Sequence, residues 1–275
     1  MSDILLHARE GHVVTLTINR PEKLNAMTKP LWKELGQTFE HLSQDNDVRC
    51  IVIRGAGEKS FSPGNDISEF ETERANKPQA IRYGEIMHRT VHAIQSCPHP
   101  VVAQIHGICV GGGLEIAALA DIRICGESSR FGAPIKNLGL VMAYSEMAPI
   151  AKLLGASKAL EILLEGRIFD AKEALRIGLV SRVVPDDQVA MESMTCAQRV
   201  ASGAPLVARW HKQFARRLSD PAPLTAAEKD ECFDCFDTED FRIGYRAFLA
   251  KEPPEFWGAK SNVVDTVFLI AEHLT

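Results

Sequence analysis

Apolar residues in the first two thirds of the chain follow two alternating patterns, short continuous runs and longer stretches with helical spacing. Each short run contains β-branched residues and is bounded by turn residues such as glycine, asparagine or proline, which is typical of strands. The runs predict strands at residues 13–19, 50–54, 101–105 and 121–125.

The longer stretches predict helices between these strands. Leu31, Leu35, Phe39 and Leu42 recur at helical spacing, and Thr28 stands before them as a helix cap. The same reasoning predicts helices at residues 78–96, at 113–120 and from 170 to about 177. Strands and helices that alternate in this way indicate an α/β core with helices packed on a sheet.

The last part of the chain differs from the rest, because strand patterns stop near Pro185 and only helical patterns follow. We therefore divide the chain into an α/β core, residues 1–200, and a helical C-terminal region, residues 201–275. The helical region is expected to pack on the core or on neighbouring subunits.

Composition and charge exclude several classes of function. The 275 residues are 45% hydrophobic and 24% charged, and the formal net charge of −5 argues against a nucleic-acid-binding surface. Charge or glycine interrupts the apolar stretches well before a membrane-spanning length of roughly 20 residues. The first ten residues lack the pattern of a signal peptide, and the seven scattered cysteines suggest reduced thiols. We expect a cytoplasmic protein.

Three consecutive glycines, Gly111, Gly112 and Gly113, follow an apolar strand and begin a helix. Such a turn lets a ligand approach the backbone, and the helix N-terminus offers unpaired N–H groups. The spacing fits neither a dinucleotide-binding nor a Walker motif, so a group other than phosphate is expected here. Glu115 lies about one helical turn further on. It is either a cap for the helix dipole or an acid/base group, and both interpretations stay open.

A second stretch, residues 59–67, contains a serine, proline, glycine, asparagine and aspartate turn. Taken alone, it is typical of a surface loop. Together with the three glycines it supplies a second loop whose backbone amide could meet the first. Two amides from separate loops are what an oxyanion hole for a thioester requires.

Several motifs together resemble the crotonase, or enoyl-CoA hydratase/isomerase, superfamily along nearly the whole chain. They are Asn19–Arg20–Pro21, Leu24–Asn25–Ala26, Phe61 to Asp66, Gly111 to Glu115, Asp121–Ile122–Arg123, Phe131 to Pro134, Ala171 to Val184 and Ala247 to Lys251. Each motif is weak alone, whereas the combination is highly specific. The resemblance implies an α/β fold, a spiral of ββα turns, with a C-terminal helical region that builds homotrimers or dimers of trimers.

The resemblance also implies roles for individual residues. The amides of Asn65 and Gly112 correspond to the two oxyanion donors, and Glu115 corresponds to the first catalytic glutamate. The residues implied to bind the substrate or its CoA moiety are Lys23, Leu24, Phe61, Gly64, Asp66, Ile67, Phe248 and Lys251. Coenzyme A is expected only as part of the acyl-CoA substrate, with no tightly bound cofactor.

One position departs from the pattern of the superfamily. Two-glutamate hydratases carry a second carboxylate directly after the Phe-Gly-x-Pro run, where this chain has Ile135. A general acid or base typically contributes about 10²–10⁴-fold to the rate. Either Glu115 acts alone, as suits isomerisation or weak hydration, or another group takes part. The candidates for that auxiliary group are Tyr144, Glu146 and His92.

Other functions stay open on the sequence alone. Asn137–Leu138–Gly139 resembles a decarboxylase branch of the superfamily, whose reaction needs no second carboxylate. A CoA-thioester-binding protein with lapsed catalysis is a further alternative. Cys232 and Cys235 lack the second pair of ligands that a zinc site requires, so no metal is predicted. An enoyl-CoA hydratase or isomerase is the preferred interpretation, and the acyl chain is left open.

Overall fold

Two sheets form the framework of residues 3–258, the part of the chain that the computed structural model describes. The strands are β1 Leu5–Glu10, β2 Val13–Ile18, β3 Cys50–Gly55, β4 Ser60–Ser62, β5 Val101–Ile105, β6 Ile108–Val110, β7 Ile122–Gly126, β8 Arg130–Gly132, β9 Phe169–Asp170 and β10 Arg182–Val184. The large sheet has the order β1-β2-β3-β5-β7-β10, and the small sheet has the order β4-β6-β8-β9.

Eleven α-helices connect or follow the strands in the described residues. They are α1 Lys29–Leu42, α2 Phe70–Glu73, α3 Lys77–Ser96, α4 Gly112–Leu119, α5 Tyr144–Leu154, α6 Ala156–Glu165, α7 Ala171–Arg176, α8 Val189–Ala201, α9 Pro205–Arg217, α10 Ala226–Asp230 and α11 Glu239–Ala250. The described residues also form five 3₁₀ turns, at Pro21–Lys23, Ile67–Glu69, Pro134–Leu138, Asp186–Gln188 and Glu231–Asp237.

The connections make a repeated ββα spiral. Strands β3, β5 and β7 of the large sheet are each followed by a short strand of the small sheet, β4, β6 and β8, and then by helices. Successive strands of each kind pair in parallel, with antiparallel pairing only for β1 with β2 and for β8 with β9 among the described strands. The predicted α/β spiral is therefore confirmed.

The strands predicted from apolar runs agree with the structure to within about one residue at each end. β3 and β5 are buried along nearly their whole length, which is why they read as continuous apolar runs rather than alternating ones. The sequence missed β1 and the short strands β4, β6 and β8. Strands of three residues are too short to show a period, and pairing with neighbours defines them instead.

Helices α1 and α3 cross closely and fix the position of Trp32. Thr28 caps α1 as predicted, because its side chain accepts a hydrogen bond from the amide of Leu31. A β-carbon on Gly36 would lie 2.7 Å from the hydroxyl oxygen of Thr90 on α3, so the absence of a side chain permits the crossing. The same hydroxyl donates a 2.6 Å hydrogen bond to the carbonyl of Trp32, whose ring is fully buried.

The chain divides into two compact units, with the boundary between Val200 and Ala201. The first unit contains both sheets. In the second unit, the residues up to Gly258 contain helices and turns only. The assembly role expected for this helical region stays a prediction.

Candidate active site

A cavity of about 470 Å³ opens in the first unit, where the turn after β4 meets the turn between β6 and α4. The residues that line it are Lys23, Ala26, Pro63, Asn65, Asp66, Ile67, Phe70, Arg74, Val110, Gly111, Gly112, Glu115, Pro134, Ile135, Asn137, Leu138, Leu140, Val141, Met142 and Glu146. Its wall therefore combines apolar side chains with three carboxyl groups, a lysine, an arginine and two glycine-containing turns.

The two turns touch each other through backbone atoms. A β-carbon on Gly64 would lie 2.6 Å from the backbone nitrogen of Gly112, and one on Gly113 would lie 2.1 Å from the carbonyl oxygen of Ser62. Gly64 also has a φ of +96°, a conformation that side chains disfavour. Glycine at these positions is thus what allows residues 65 and 112 to stand on adjacent turns.

The amides of Asn65 and Gly112 are not used within the fold. On either side of Asn65, the carbonyl of Gly64 accepts from Met27 and the amide of Asp66 donates to Met27, both at 2.8 Å. Gly112 is the first residue of α4, so its amide has no partner within the helix. Neither amide has a hydrogen-bond partner among residues 3–258. Both remain available to a ligand.

The side chain of Asn65 anchors its turn. The indole Nε1 of Trp32 donates a 2.7 Å hydrogen bond to the Oδ1 of Asn65. The side-chain nitrogen of Asn65 in turn lies 3.8 Å from the sulfur of Met87 on α3. The crossing of α1 and α3 therefore determines where the Asn65 amide lies.

Glu115 is buried at the wall of the cavity, with 5% of its surface exposed. Its Oε2 atom is buried without a hydrogen-bond partner among the described residues. Burial, and after it the charge of Glu146, raises the pKa of Glu115 to about 8, while the positive charge of Arg74 partly opposes this. A carboxyl group that keeps its proton near neutral pH favours the acid/base interpretation over a helix cap, because a cap acts through its negative charge.

Glu146 supplies a second carboxyl group to the same cavity, whose wall also contains Ile135. It lies in the first turn of α5 and is 9% exposed. Its Oε2 accepts a 3.1 Å hydrogen bond from the amide of Ala143, and its Oε1 lies 3.5 Å from the Nε2 of His88. Both contacts hold the carboxyl group of Glu146 in place. A second carboxyl group therefore lines the cavity, although position 135 carries isoleucine.

The other two auxiliary candidates do not line the cavity. Tyr144 begins α5, but its side chain is 96% exposed and turned to solvent. His92 lies on an exposed part of α3. Of the three groups proposed from the sequence, the structure brings only Glu146 to Glu115.

The residues expected to bind substrate fall into several groups. Lys23, Asp66 and Ile67 line the cavity, and the carboxylate of Asp66 forms a 3.0 Å ion pair with Arg20. Gly64 packs closely against the backbone of Gly112. These four residues therefore lie at the cavity or directly beside it.

Two expected residues lie elsewhere in the first unit, and their contact with substrate stays a prediction. Phe61 is fully buried in the core, because its strand β4 packs with both faces covered. Leu24 has a left-handed backbone and lines a separate depression of about 250 Å³. Neither side chain contributes to the cavity wall.

Phe248 and Lys251 lie in the second unit, at the end of α11. Phe248 is 83% exposed, and the side chain of Lys251 is exposed beyond the last helical turn. Their expected contact with CoA stays a prediction.

Sequence reasoning missed Arg74, which lines the cavity directly after the short helix α2. No motif marks it, because its neighbours in the sequence are ordinary charged surface residues. Phe70 and Met142 line the cavity as well.

Residues 3–258 contain neither a cluster of metal-ligating side chains nor a helix that could span a membrane. No group of three or more histidine, cysteine, aspartate or glutamate side chains there is arranged to hold a metal ion. All seven cysteines are free thiols. Within the same range, no helix is both long enough and apolar enough to span a bilayer.

The spiral of ββα turns is the fold that the motifs predicted, and comparison with known proteins supports the same family. The matching family model describes enoyl-CoA hydratase/isomerase proteins and covers residues 8–259. A short-chain-enoyl-CoA hydratase from Clostridium acetobutylicum is 32% identical over 93% of this chain and 97% of that protein. A crotonyl-CoA hydratase from Syntrophomonas wolfei is 31% identical over 90% of this chain and 95% of that protein.

A solved structure gives the same result. The crystal structure of an enoyl-CoA hydratase/carnitine racemase from Magnetospirillum magneticum has a TM-score of 0.92 and 47% identity, covering 94% of this chain and 97% of that one. The chain belongs to the enoyl-CoA hydratase/isomerase family of the crotonase superfamily. The preferred interpretation from the sequence, an enzyme of the hydratase/isomerase type, is confirmed at that level.

Proposed function

We propose that this enzyme adds water across the α,β double bond of a 2-enoyl-CoA thioester. The observation that carries the proposal is the pair of glutamates, Glu115 from α4 and Glu146 from α5, at one cavity. Addition of water needs one group to take a proton from water and another to give a proton to carbon. A cavity with a single acid would suit isomerisation better.

The unused amides of Asn65 and Gly112 would bind the thioester oxygen. Negative charge develops on that oxygen when a nucleophile adds to the β carbon, and preorganised N–H donors stabilise it most at that moment. Removal of one such donor typically costs about 10²–10³-fold in rate. The support for this role is their position on adjacent turns and their lack of partners within residues 3–258.

The two glutamates take different roles in the proposed mechanism. Glu146, held by the Ala143 amide and by His88, accepts a proton from water, and the hydroxide oxygen forms a bond with the β carbon. The π electrons move through the α carbon onto the thioester oxygen. Glu115, which burial keeps protonated near neutral pH, then gives its proton to the α carbon. Transfer of the proton from Glu146 back to Glu115 restores the starting state.

The experiment compares wild type, Glu115→Gln, Glu146→Gln and Glu40→Gln with crotonyl-CoA, following the loss of the conjugated double bond. Glutamine keeps the shape and removes the proton transfer, so each of the first two variants should lose about 10²–10⁴-fold in kcat. Glu40 lies exposed on α1 and controls for the substitution itself. Full activity of Glu146→Gln would contradict the two-carboxylate mechanism and leave Glu115 as the sole acid/base group of the two.

Methylmalonyl-CoA tests the alternative of decarboxylation, in which loss of CO₂ generates the enolate without a second carboxylate. We expect turnover of crotonyl-CoA, and turnover of methylmalonyl-CoA alone would overturn the proposal. If no acyl-CoA reacts but the thioesters bind, the chain is a binding protein with lapsed catalysis.

We further propose that the chain assembles as a homotrimer or a dimer of trimers, without a tightly bound cofactor, and works in the cytoplasm. The second unit exposes several large apolar side chains, which single chains rarely leave uncovered. They are Phe233, Phe236, Phe241, Tyr245, Phe248 and Leu249. Sedimentation that shows a stable monomer at micromolar concentration would contradict this assembly and the contact of Lys251 with a neighbouring subunit's CoA.

A further inference from the structure

Arg74 is a cation in the cavity wall without a charged partner. Its guanidinium lies over the rings of Phe70 and Tyr83, with 4.8 Å from the guanidinium carbon to each ring centroid. Its Nη1 atom is buried and has no hydrogen-bond partner among residues 3–258. A buried donor without an acceptor costs stability, typically about 1–3 kcal/mol, so native structures rarely keep one without a reason.

Two acidic side chains shortly before Arg74 in the sequence, Glu69 and Glu73, have other partners. Glu73 forms a 2.6 Å ion pair with Lys29. Glu69 accepts 2.9 Å hydrogen bonds from the hydroxyl of Tyr83 and from the backbone amide of Lys29. Arg74 forms no ion pair with any carboxylate in the described part of the chain. Its position therefore does not serve an internal salt bridge.

The two aromatic rings hold the guanidinium as a preorganised donor. Contact with ring faces fixes its plane and compensates part of the lost hydration. The guanidinium presents paired N–H groups in a planar fork that matches the two oxygens of a carboxylate. A neutral hydrocarbon chain would leave these donors unsatisfied.

Arg74 lies near the reacting end of the cavity. Its positive charge acts on the carboxyl group of Glu115, where it opposes the effect of burial on the pKa. Much of the remaining wall is apolar, including Ile67, Ile135 and Leu138. An acyl chain of the substrate would thus pass apolar contacts and meet the guanidinium of Arg74 close to Glu115.

We infer that the preferred substrate is an acyl-CoA whose short acyl chain ends in a free carboxylate, and that the guanidinium of Arg74 binds this carboxylate. The inference rests on the proposed function, since it names the substrate class of the same cavity. Binding would form charge-assisted hydrogen bonds and satisfy the buried Nη1 atom.

Glutaconyl-CoA and crotonyl-CoA form a matched pair for the test, because they differ by one terminal carboxylate on the same unsaturated chain. Both are assayed with wild type, Arg74→Met, Arg74→Lys and Arg89→Met. Methionine keeps an unbranched apolar stem without the charge, and lysine keeps the charge without the planar fork. Arg89 is an exposed arginine of α3 outside the cavity wall and is the control.

Wild type should prefer glutaconyl-CoA in kcat/KM. Arg74→Met should lose about 10–100-fold with glutaconyl-CoA, the range expected for hydrogen bonds to a charged group. The ratio of kcat/KM with glutaconyl-CoA to kcat/KM with crotonyl-CoA should fall by that factor, because any effect of the lost charge on Glu115 is common to both substrates. The ratio for Arg74→Lys should fall between those of wild type and Arg74→Met. Equal losses with both substrates would overturn the inference, because Arg74 would then act on a part that they share, such as a CoA phosphate or Glu115. A wild-type preference for crotonyl-CoA would overturn it as well.

A binding measurement separates this inference from the proposed reaction. If neither substrate reacts, the proposed hydration fails, and calorimetry with the saturated pair glutaryl-CoA and butyryl-CoA tests Arg74 independently. Tighter binding of glutaryl-CoA that disappears in Arg74→Met supports the inference. Equal affinity of the two thioesters for wild type rejects it.

Discussion

Replacement of Glu115 by glutamine should change how the stability of the fold depends on pH. Burial raises the pKa of this carboxyl group from 4.5 to about 8, so the folded chain keeps a proton that the unfolded chain releases. Stability from this group is fully present below pH 4.5 and decreases as the pH rises towards 8. Above that pH both states are ionised, and the contribution becomes constant.

The size of the effect follows from the linkage between proton binding and folding. Between the two pKa values, each pH unit lowers the free energy of unfolding by about 1.4 kcal/mol. Wild type should therefore lose on the order of 3 kcal/mol from this group between pH 5 and pH 8. Glu115→Gln has no proton to lose and should not show that decrease. Its buried amide adds a penalty that is the same at every pH, so the slope is the diagnostic quantity.

The assay is urea unfolding at pH 5, 6, 7 and 8, followed by tryptophan fluorescence at one fixed protein concentration. A fixed concentration matters because assembly would otherwise shift the apparent stability. Glu40→Gln, at an exposed site, controls for the loss of a carboxylate in general. A difference between Glu115→Gln and wild type that stays constant from pH 5 to pH 8 would refute the reasoning, because Glu115 would then titrate with an ordinary pKa.

Two further predictions concern the same cavity. If Glu115 is the acid, kcat of wild type should fall as the pH rises through about 8 and its proton is lost, and a pH–rate profile that stays flat beyond this range would contradict that role. Gly64→Ala should lose at least about 10²-fold in kcat, because its β-carbon would lie 2.6 Å from the nitrogen of Gly112 and displace an oxyanion donor. Gly57→Ala is the matched control, since Gly57 also has a positive φ but no atom within 4 Å of where its β-carbon would lie. Both variants should lose about 1–3 kcal/mol of stability in urea unfolding. Equal activity of the two variants would argue against the close approach of Gly64 to Gly112.

The sequence was sufficient to predict those features whose conformation depends mainly on neighbouring residues. Thr28 could be identified as a cap because a side-chain oxygen next to a helix start satisfies a nearby amide whatever the rest of the fold does. The three glycines from Gly111 to Gly113 indicated a turn where a ligand can approach the backbone, and Gly111 and Gly112 line the cavity. The central strands were readable because both of their faces are buried.

The sequence by itself thus determined the α/β spiral, the glycine turns and the candidate acid Glu115. Only the tertiary structure decided which side chain stands beside it. Tyr144 and Glu146 are two residues apart in α5, and residues at that spacing do not face each other on a helix, so the packing of α5 exposes the first and directs the second to the cavity. Arg74 shows the same dependence, because Glu69 and Glu73, which are close to it in the sequence, bind Tyr83 and Lys29 and not the guanidinium. The burial of these side chains and the partners they contact depend on packing between distant parts of the chain, which a local sequence pattern does not reveal.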